Sequence, residues 1–295
     1  SDYYFSYPAN DSTLINMKDS SMCASGQCVE LLNIYTGRSK LMDCAYWESY
    51  SDAPIAILPN RNLFAYITDQ SHDCVIRDFA GKTVGKYIDS VYRAQLVFRH
   101  PSEQFVVVSN GSDSLRFLDL NGHFIRQIKM EAFAAENDYL VMHTLKFLPD
   151  GKSFVVGASD FIYFYNDTGK LIRKIPSSDV VLSVDVSGDG LIACVDNSRN
   201  LTVLDTAGRQ HALVQSADPF QITKVKFVPQ KKAIVTLGIY GTTKLWDYRG
   251  RPLYQFIEMP IAWNVNIHRD NLYVSGRNEI KIWILPNLVE DFLDK

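Results

Sequence analysis

The 295-residue chain has no surplus of basic residues, no long apolar run and no even set of cysteines, and each shortage removes a class of protein. Thirty Lys and Arg stand against thirty-three Asp and Glu, a formal net charge of −3. A domain that neutralises many phosphates carries a basic excess, so nucleic acid is not an expected partner. Apolar runs such as Phe105–Val108 and Val180–Leu182 stop after a few residues, whereas a helix that crosses a bilayer takes about 20. No membrane span is expected. Ser1 opens without the charged and apolar regions of a secretory leader, which means that a leader was never there or was removed.

Cysteine is scarce: Cys23, Cys28, Cys44, Cys74 and Cys194 form an odd, scattered set. Such a set is unlike a disulfide framework and favours a reducing, cytoplasmic compartment, with free thiols in or near a core. Cys28 and Cys44 flank a predicted hairpin centred on residue 36, so a cross-strand pair between them stays open.

Catalytic and metal motifs are missing as well. There is no G-x-S-x-G elbow, no H-E-x-x-H pair, no paired C-x-x-C and no calcium loop. "GDGLIA" at Gly188–Ala193 matches a dinucleotide fingerprint in letters, but the residues after it alternate as a strand where a helix must present its N–H groups to the pyrophosphate. "DGKS" at Asp150–Ser153 lacks the glycine that a phosphate loop needs at position 146, which is Lys146, and reads as a turn. The six histidines lie far apart, without metal-ligand spacing. No cofactor or metal is expected, and an enzyme is the less favoured reading.

What is present is a repeat. Hydrophobic residues make up 46% and charged residues 21%, the balance of a globular chain. A strand ending in Asp or Asn, then two residues, then Gly, occurs as "VIRDFAG", "RFLDLNG", "YFYNDTG", "TVLDTAG" and "KLWDYRG". "LNIYTGR" is a looser copy, and "IKIWILP" supplies the strand alone, which makes seven. From Gly37 through Gly81, Gly122, Gly169, Gly208 and Gly250 the steps are 44, 41, 47, 39 and 42 residues, and a four-stranded propeller blade takes about 40–45. Asp or Asn bonds its own backbone two residues on while Gly supplies positive φ, so each copy reads as the hairpin joining a third strand to a fourth. Upstream, "FSYP", "AILP", "VFRHP", "LKFLPDG", "VDVSGDG" and "VKFVPQ" read as turns between first and second strands.

The fold expected is therefore all-β, a single β-propeller over 1–295 with seven four-stranded blades. Their approximate spans are 1–46, 53–90, 92–130, 140–176, 179–216, 220–258 and 260–295. "MEAFAAENDYLVMH" breaks the rhythm as an insertion with a helical turn, and the tail "NLVEDFLDK" is a candidate for the last blade's fourth strand.

On these strands, turns and period the chain resembles the WD-repeat family along essentially its whole length. "KLWDYRG" carries the family's Trp-Asp ending at Trp246-Asp247, and "IKIWI" keeps the Trp. The family's Gly-His pair is absent, and its buried Asp is replaced by Ser112, Ser198 and Tyr240. The resemblance implies a face built from second-to-third-strand and inter-blade loops that binds partner proteins. Here that face includes His72, Asp73, Asn110, Asp113, Asp160, Arg199, Tyr240, Arg277 and Glu279, with Arg93 and Trp263 at the starts of first strands. Aromatic and Arg side chains are the usual anchors of an interface, which singles out Tyr240, Trp263, Arg93 and Arg277, although Trp263 also fits a packing role between blades. The first strands carry Gln95, Thr144, Ser183, Lys224 and Asn264 at matching positions, with His143 beside them. These predict a polar lining of the central channel, able to hold water or a small ligand. The function expected is a non-catalytic scaffold binding one or more proteins; the alternative is a propeller enzyme or ligand binder that uses the channel.

Overall fold

The computed structural model describes the chain except residues 1–2, 11, 24–26, 46–54, 70, 89–93, 100, 110–112, 132–141, 160, 257–258, 278 and 286–295. Its strands form seven antiparallel sheets, each a meander in chain order. The first holds β1 Tyr3–Pro8, β2 Thr13–Asp19, β3 Gln27–Asn33 and β4 Ser39–Cys44, and the second β5 Ile55–Leu58, β6 Leu63–Ile67, β7 Cys74–Asp78 and β8 Thr83–Tyr87. The third holds β9 Ala94–Arg99, β10 Gln104–Ser109, β11 Ser114–Leu118 and β12 Phe124–Lys129. The fourth holds β13 Thr144–Phe147, β14 Ser153–Gly157, β15 Phe161–Asn166 and β16 Leu171–Pro176. The fifth holds β17 Val181–Val186, β18 Ile192–Asp196, β19 Leu201–Leu204 and β20 Gln210–Val214. The sixth holds β21 Ile222–Val228, β22 Ala233–Gly238, β23 Thr243–Asp247 and β24 Pro252–Gln255. The seventh has three described strands, β25 Ala262–His268, β26 Asn271–Gly276 and β27 Glu279–Ile284. These are the blades of a seven-bladed β-propeller.

The repeated motif does what its chemistry demands. Asp78 accepts the N–H groups of Ala80 at 3.0 Å and Lys82 at 2.8 Å through Oδ1, while Gly81 turns the chain at φ +86°. Asp119, Asn166 and Asp247 make the same pair of bonds in their own blades, and Asp205 accepts the Arg209 N–H at 2.9 Å. Each of these hairpins carries a register shift just before the turn, the bulge that fits an extra residue into the ladder. In the looser first copy Asn33 takes the capping role, accepting the Tyr35 and Thr36 N–H groups. The prolines upstream fall where a first strand ends: Pro59 and Pro229 each open a single 3-10 turn, where a missing N–H costs nothing.

Blades stack face to face, and alternation along each strand sends neighbouring side chains to opposite blades. Six apolar clusters result, one at each junction from the first and second blades through to the sixth and seventh. The seventh junction, where the last blade meets the first, has no such cluster among the described residues. Ile15, Met17, Val29 and Leu31 face the second blade, so Ser6, Asn16 and Glu30, which are cross-strand neighbours, face the seventh. Opposite them, Val265, Leu272 and Val274 face the sixth blade, which turns Asn264, Asn266 and Ser275 toward the first. The ring thus closes through a buried polar seam, held where Asn266 Nδ2 donates to the Ser6 carbonyl at 2.9 Å. Within it Ser6 Oγ, Asn16 Oδ1, Asn264 Nδ2 and Ser275 Oγ are buried with no hydrogen-bond partner among the described residues.

Two expectations change. Cys23 and Cys44 are not free thiols but a disulfide with Cα atoms 5.3 Å apart, while Cys28, Cys74 and Cys194 are buried and outside any disulfide. His143 lies just before β13 and extends its ladder, donating its N–H to the Gly157 carbonyl at 3.0 Å. The expected helical insertion at 132–141 and the tail 286–295 lie outside the described residues.

Candidate functional site

Loops between second and third strands and loops between blades emerge on the same face of a propeller. On that face the fifth and sixth blades present an exposed aromatic pair: Phe220, 48% exposed, and Tyr240, 54% exposed, meet edge to face with ring centroids 4.7 Å apart. Ile239 stands beside them at 37% exposure. Phe220 comes from the β20–β21 loop and Tyr240 from the β22–β23 turn.

Both segments are held from below. The buried Asp218 carboxylate lies 3.0 Å from Lys244 Nζ and accepts the Phe220 N–H at 3.0 Å, while Lys244 also donates to the Ala217 carbonyl at 2.9 Å. Arg199 clamps the same loop: its guanidinium donates to the Pro219 carbonyl at 2.7 Å and its own carbonyl accepts the Ala217 N–H at 2.9 Å. Ile239 donates its N–H to the Gln221 carbonyl at 2.8 Å, tying loop to turn. Gly241 lets the turn close at φ +78°, where a Cβ would stand 1.9 Å from the Met259 carbonyl oxygen.

A polar rim extends the patch toward the fourth blade. Gln221 donates to Asn197 Oδ1, Asn197 donates to Asp179 Oδ2 at 3.3 Å, and the Ser198 hydroxyl donates to the same carboxylate at 2.9 Å. The Val180 N–H, against some burial and helped by Ser198 and Asn197, holds the Asp179 carboxyl below the usual range. The rim is therefore an ionised carboxylate with its donors already in place.

Of the residues singled out in the sequence, Tyr240 and Arg199 come together in this patch, Arg199 as clamp and Tyr240 as exposed ring. Arg277 is exposed on the seventh blade and donates its N–H to the Ile261 carbonyl at 3.2 Å; Trp263 and Glu279 are half-buried in that blade. His72 is half-buried in the β6–β7 turn, and Asp73 beside it is buried and ion-paired with Lys86 at 2.7 Å, so its carboxylate serves the blade and not the solvent. Asp113 pairs with Lys129 at 3.0 Å. Arg93, Asn110 and Asp160 lie outside the described residues. Phe220, Ile239 and the Asp218–Lys244 anchor were not picked out from sequence; the turn-forming "SADPFQ" with an aromatic inside it was the available signal.

Of the first-strand polar set predicted to line the channel, most are described. Thr144, Ser183 and Asn264 are buried. Ser183 Oγ accepts the Val225 N–H at 3.3 Å and Asp185 accepts the Phe227 N–H at 2.8 Å, both bonds crossing from the fifth blade to the sixth. These side chains join blades. Lys224 is half-buried, and the side chain of Gln95 lies outside what is described.

One cleft of about 420 Å³ between the fourth and fifth blades is lined by Asp150, Phe164, Arg173 and Asp189 among others. Its polar groups are spent internally: Asp150 on the Lys152 and Ser153 N–H groups, Asp189 on the Ser187 hydroxyl and Arg173 on the Ala207 carbonyl. Among the described residues no three His, Cys, Asp or Glu side chains gather to hold a metal, and no helix is long and apolar enough to cross a membrane.

Fold and loop face together define the class, a seven-bladed β-propeller with an aromatic patch on its loop face. In comparisons with known proteins, no protein-family model matches the chain and no curated protein matches it.

Proposed function

We propose that this propeller is a non-catalytic scaffold of the WD-repeat kind that binds a partner protein through its loop face, with the Phe220–Tyr240 pair as the centre of the contact. The observation that carries the reading is an exposed, edge-to-face aromatic pair on loops already fixed by Asp218, Lys244 and Arg199. Tyr and other large aromatics anchor protein interfaces, and loops that need no ordering on binding leave more of the contact energy as affinity. Ile172 and Leu213 are exposed on fourth strands at the outer edge, and so is Phe124, which lies beside Ile125 and stacks on Tyr87; apolar exposure of this kind is ordinary on a protein surface. Arg277 and Trp263 extend the face around the seventh blade.

The test is quantitative affinity purification of the wild type against Phe220→Ala, Tyr240→Ala and Arg277→Ala. A hot-spot aromatic contributes about 2 kcal/mol or more, so a true partner falls by at least about tenfold for each aromatic variant while thermal stability is kept. Partners that bind equally to wild type and to both aromatic variants would sink the assignment of this face.

A further inference from the structure

Four carboxylates of the loop face each carry a cation supplied by the fold: Asp73 pairs with Lys86 at 2.7 Å, Asp113 with Lys129 at 3.0 Å, Asp218 with Lys244 at 3.0 Å and Glu279 with Lys281 at 3.6 Å. Asp179 differs. It is half-buried in the β16–β17 loop, and no Lys, Arg or His among the described residues pairs with it. Arg199, in the turn that grips it, sends its guanidinium to the Pro219 carbonyl at 2.7 Å instead.

Hydrogen bonds fix this carboxylate without filling it. Oδ1 accepts the Val180 N–H at 2.7 Å, and Oδ2 accepts the Ser198 hydroxyl at 2.9 Å and the Asn197 side-chain amide at 3.3 Å. A carboxylate offers about four acceptor sites, so one stays open on Oδ1. A charge drawn partly out of water is costly until it is paired. An incoming ammonium or guanidinium makes a charge-assisted bond, stronger than a neutral one, to a group that needs no ordering to receive it.

The same bonds tie Asp179 to the aromatic pair. Asn197, which donates to Asp179, accepts from Gln221, the chain neighbour of Phe220, and the Gln221 carbonyl accepts the N–H of Ile239, the neighbour of Tyr240, at 2.8 Å. Exposed rings and a carboxylate without a countercharge thus share one hydrogen-bonded frame.

We propose, resting on the reading of the Phe220–Tyr240 pair as the centre of the contact, that the partner docks through a segment combining an apolar side chain, seated on the two rings, with a lysine or arginine that pairs with Asp179. An acidic segment bearing the same apolar residue is repelled by the fixed carboxylate, which gives the face its selectivity.

The probe is a phage-displayed library of random dodecapeptides, selected on wild type, Asp179→Asn, Phe220→Ala and Tyr240→Ala. Wild type is expected to enrich peptides that carry Lys or Arg together with an aromatic or aliphatic residue, Asp179→Asn to keep the apolar preference and lose the basic one, and the two aromatic variants to lose the peptides. An arm that needs no variant protein uses one enriched peptide on wild type, read by fluorescence polarisation. Replacing its Lys by norleucine, or its Arg by citrulline, should weaken binding about threefold or more, and salt raised from about 50 to 300 mM should weaken the parent peptide and spare the neutral one. Apolar peptides with no basic preference, a basic preference that survives in Asp179→Asn, or a neutral peptide that binds as well as its parent would overturn the role of Asp179 and leave the aromatic contact standing. Peptides held as well by Phe220→Ala and Tyr240→Ala as by wild type, or no enrichment on wild type, would overturn the aromatic contact and the role of Asp179 with it. A wild-type dimer in size-exclusion chromatography that Tyr240→Ala disperses would assign the patch to a second copy of this chain and overturn the basic segment as its occupant.

Discussion

Neighbouring residues of β26 face opposite junctions, which allows the polar seam and an apolar junction to be compared inside one strand. Val274 is fully buried in the cluster between the sixth and seventh blades, and Ser275 is buried facing the first blade with its hydroxyl unpaired among the described residues. Val274→Ala removes two packed methyl groups, and at roughly 1 kcal/mol for each buried methyl(ene) deleted it costs about 2 kcal/mol. Ser275→Ala removes a hydroxyl whose unsatisfied burial costs about 1–3 kcal/mol, so the change is neutral or stabilises by about 1 kcal/mol. Unfolding entropy of about 2.1 cal/mol/K per residue over 295 residues makes 1 kcal/mol worth roughly 1.6 °C in the midpoint. Thermal unfolding followed by circular dichroism is therefore expected to show Val274→Ala about 3 °C below wild type and Ser275→Ala level with it or about 1–2 °C above. If Ser275→Ala falls as far as Val274→Ala, the hydroxyl contributes a bond that holds the ring closed, and the account of the seam as its costly joint is refuted.

Asp205 is held at about 2 by the Arg209 N–H above all, against desolvation, which is the next largest effect, and with the Arg209 side chain and the Ala207 N–H adding to the lowering. A carboxyl titrating below its unfolded value of about 3.9 adds stability above that value and loses it as pH falls toward 2. Asp205→Asn, which copies the turn that Asn166 already makes, should flatten part of the fall in melting temperature between about pH 5 and 2; an unchanged fall would show that the turn's amides do not prefer the charged form. Gly241→Ala puts a Cβ against the Met259 carbonyl at positive φ, so a loss of more than about 1 kcal/mol and a displaced Tyr240 are expected, read by thermal unfolding and by weakened partner binding. Wild-type stability with intact binding would mean that the turn does not depend on this close approach.

Much of the fold was legible in the chain because its determinants are local. The Asp-x-x-Gly hairpins state both their turn and their bulge in four residues, and their spacing of about 40–45 counts the blades. The prolines at 59 and 229 mark strand ends for an equally local reason, the missing N–H. Tyr240 was legible as a large ring in a loop. Its partner Phe220, 20 positions away, was not, because only the stacking of the fifth blade on the sixth brings their rings together. The polar positions of the first strands, Ser183 and Asn264 among them, were visible as a pattern. That the Ser183 hydroxyl accepts the Val225 N–H of the next blade was not legible, because it depends on how the two blades stack. In sequence the one pairing open to Cys44 was with Cys28 across the hairpin, whereas the fold bonds it to Cys23. The sequence by itself thus determined the strands, the turns and the number of blades, all set by residues within a few positions of one another. Only the tertiary structure decided which side chains meet, which junction of the ring is polar and which rings stand on the surface, because blade against blade packing joins residues that no local pattern relates.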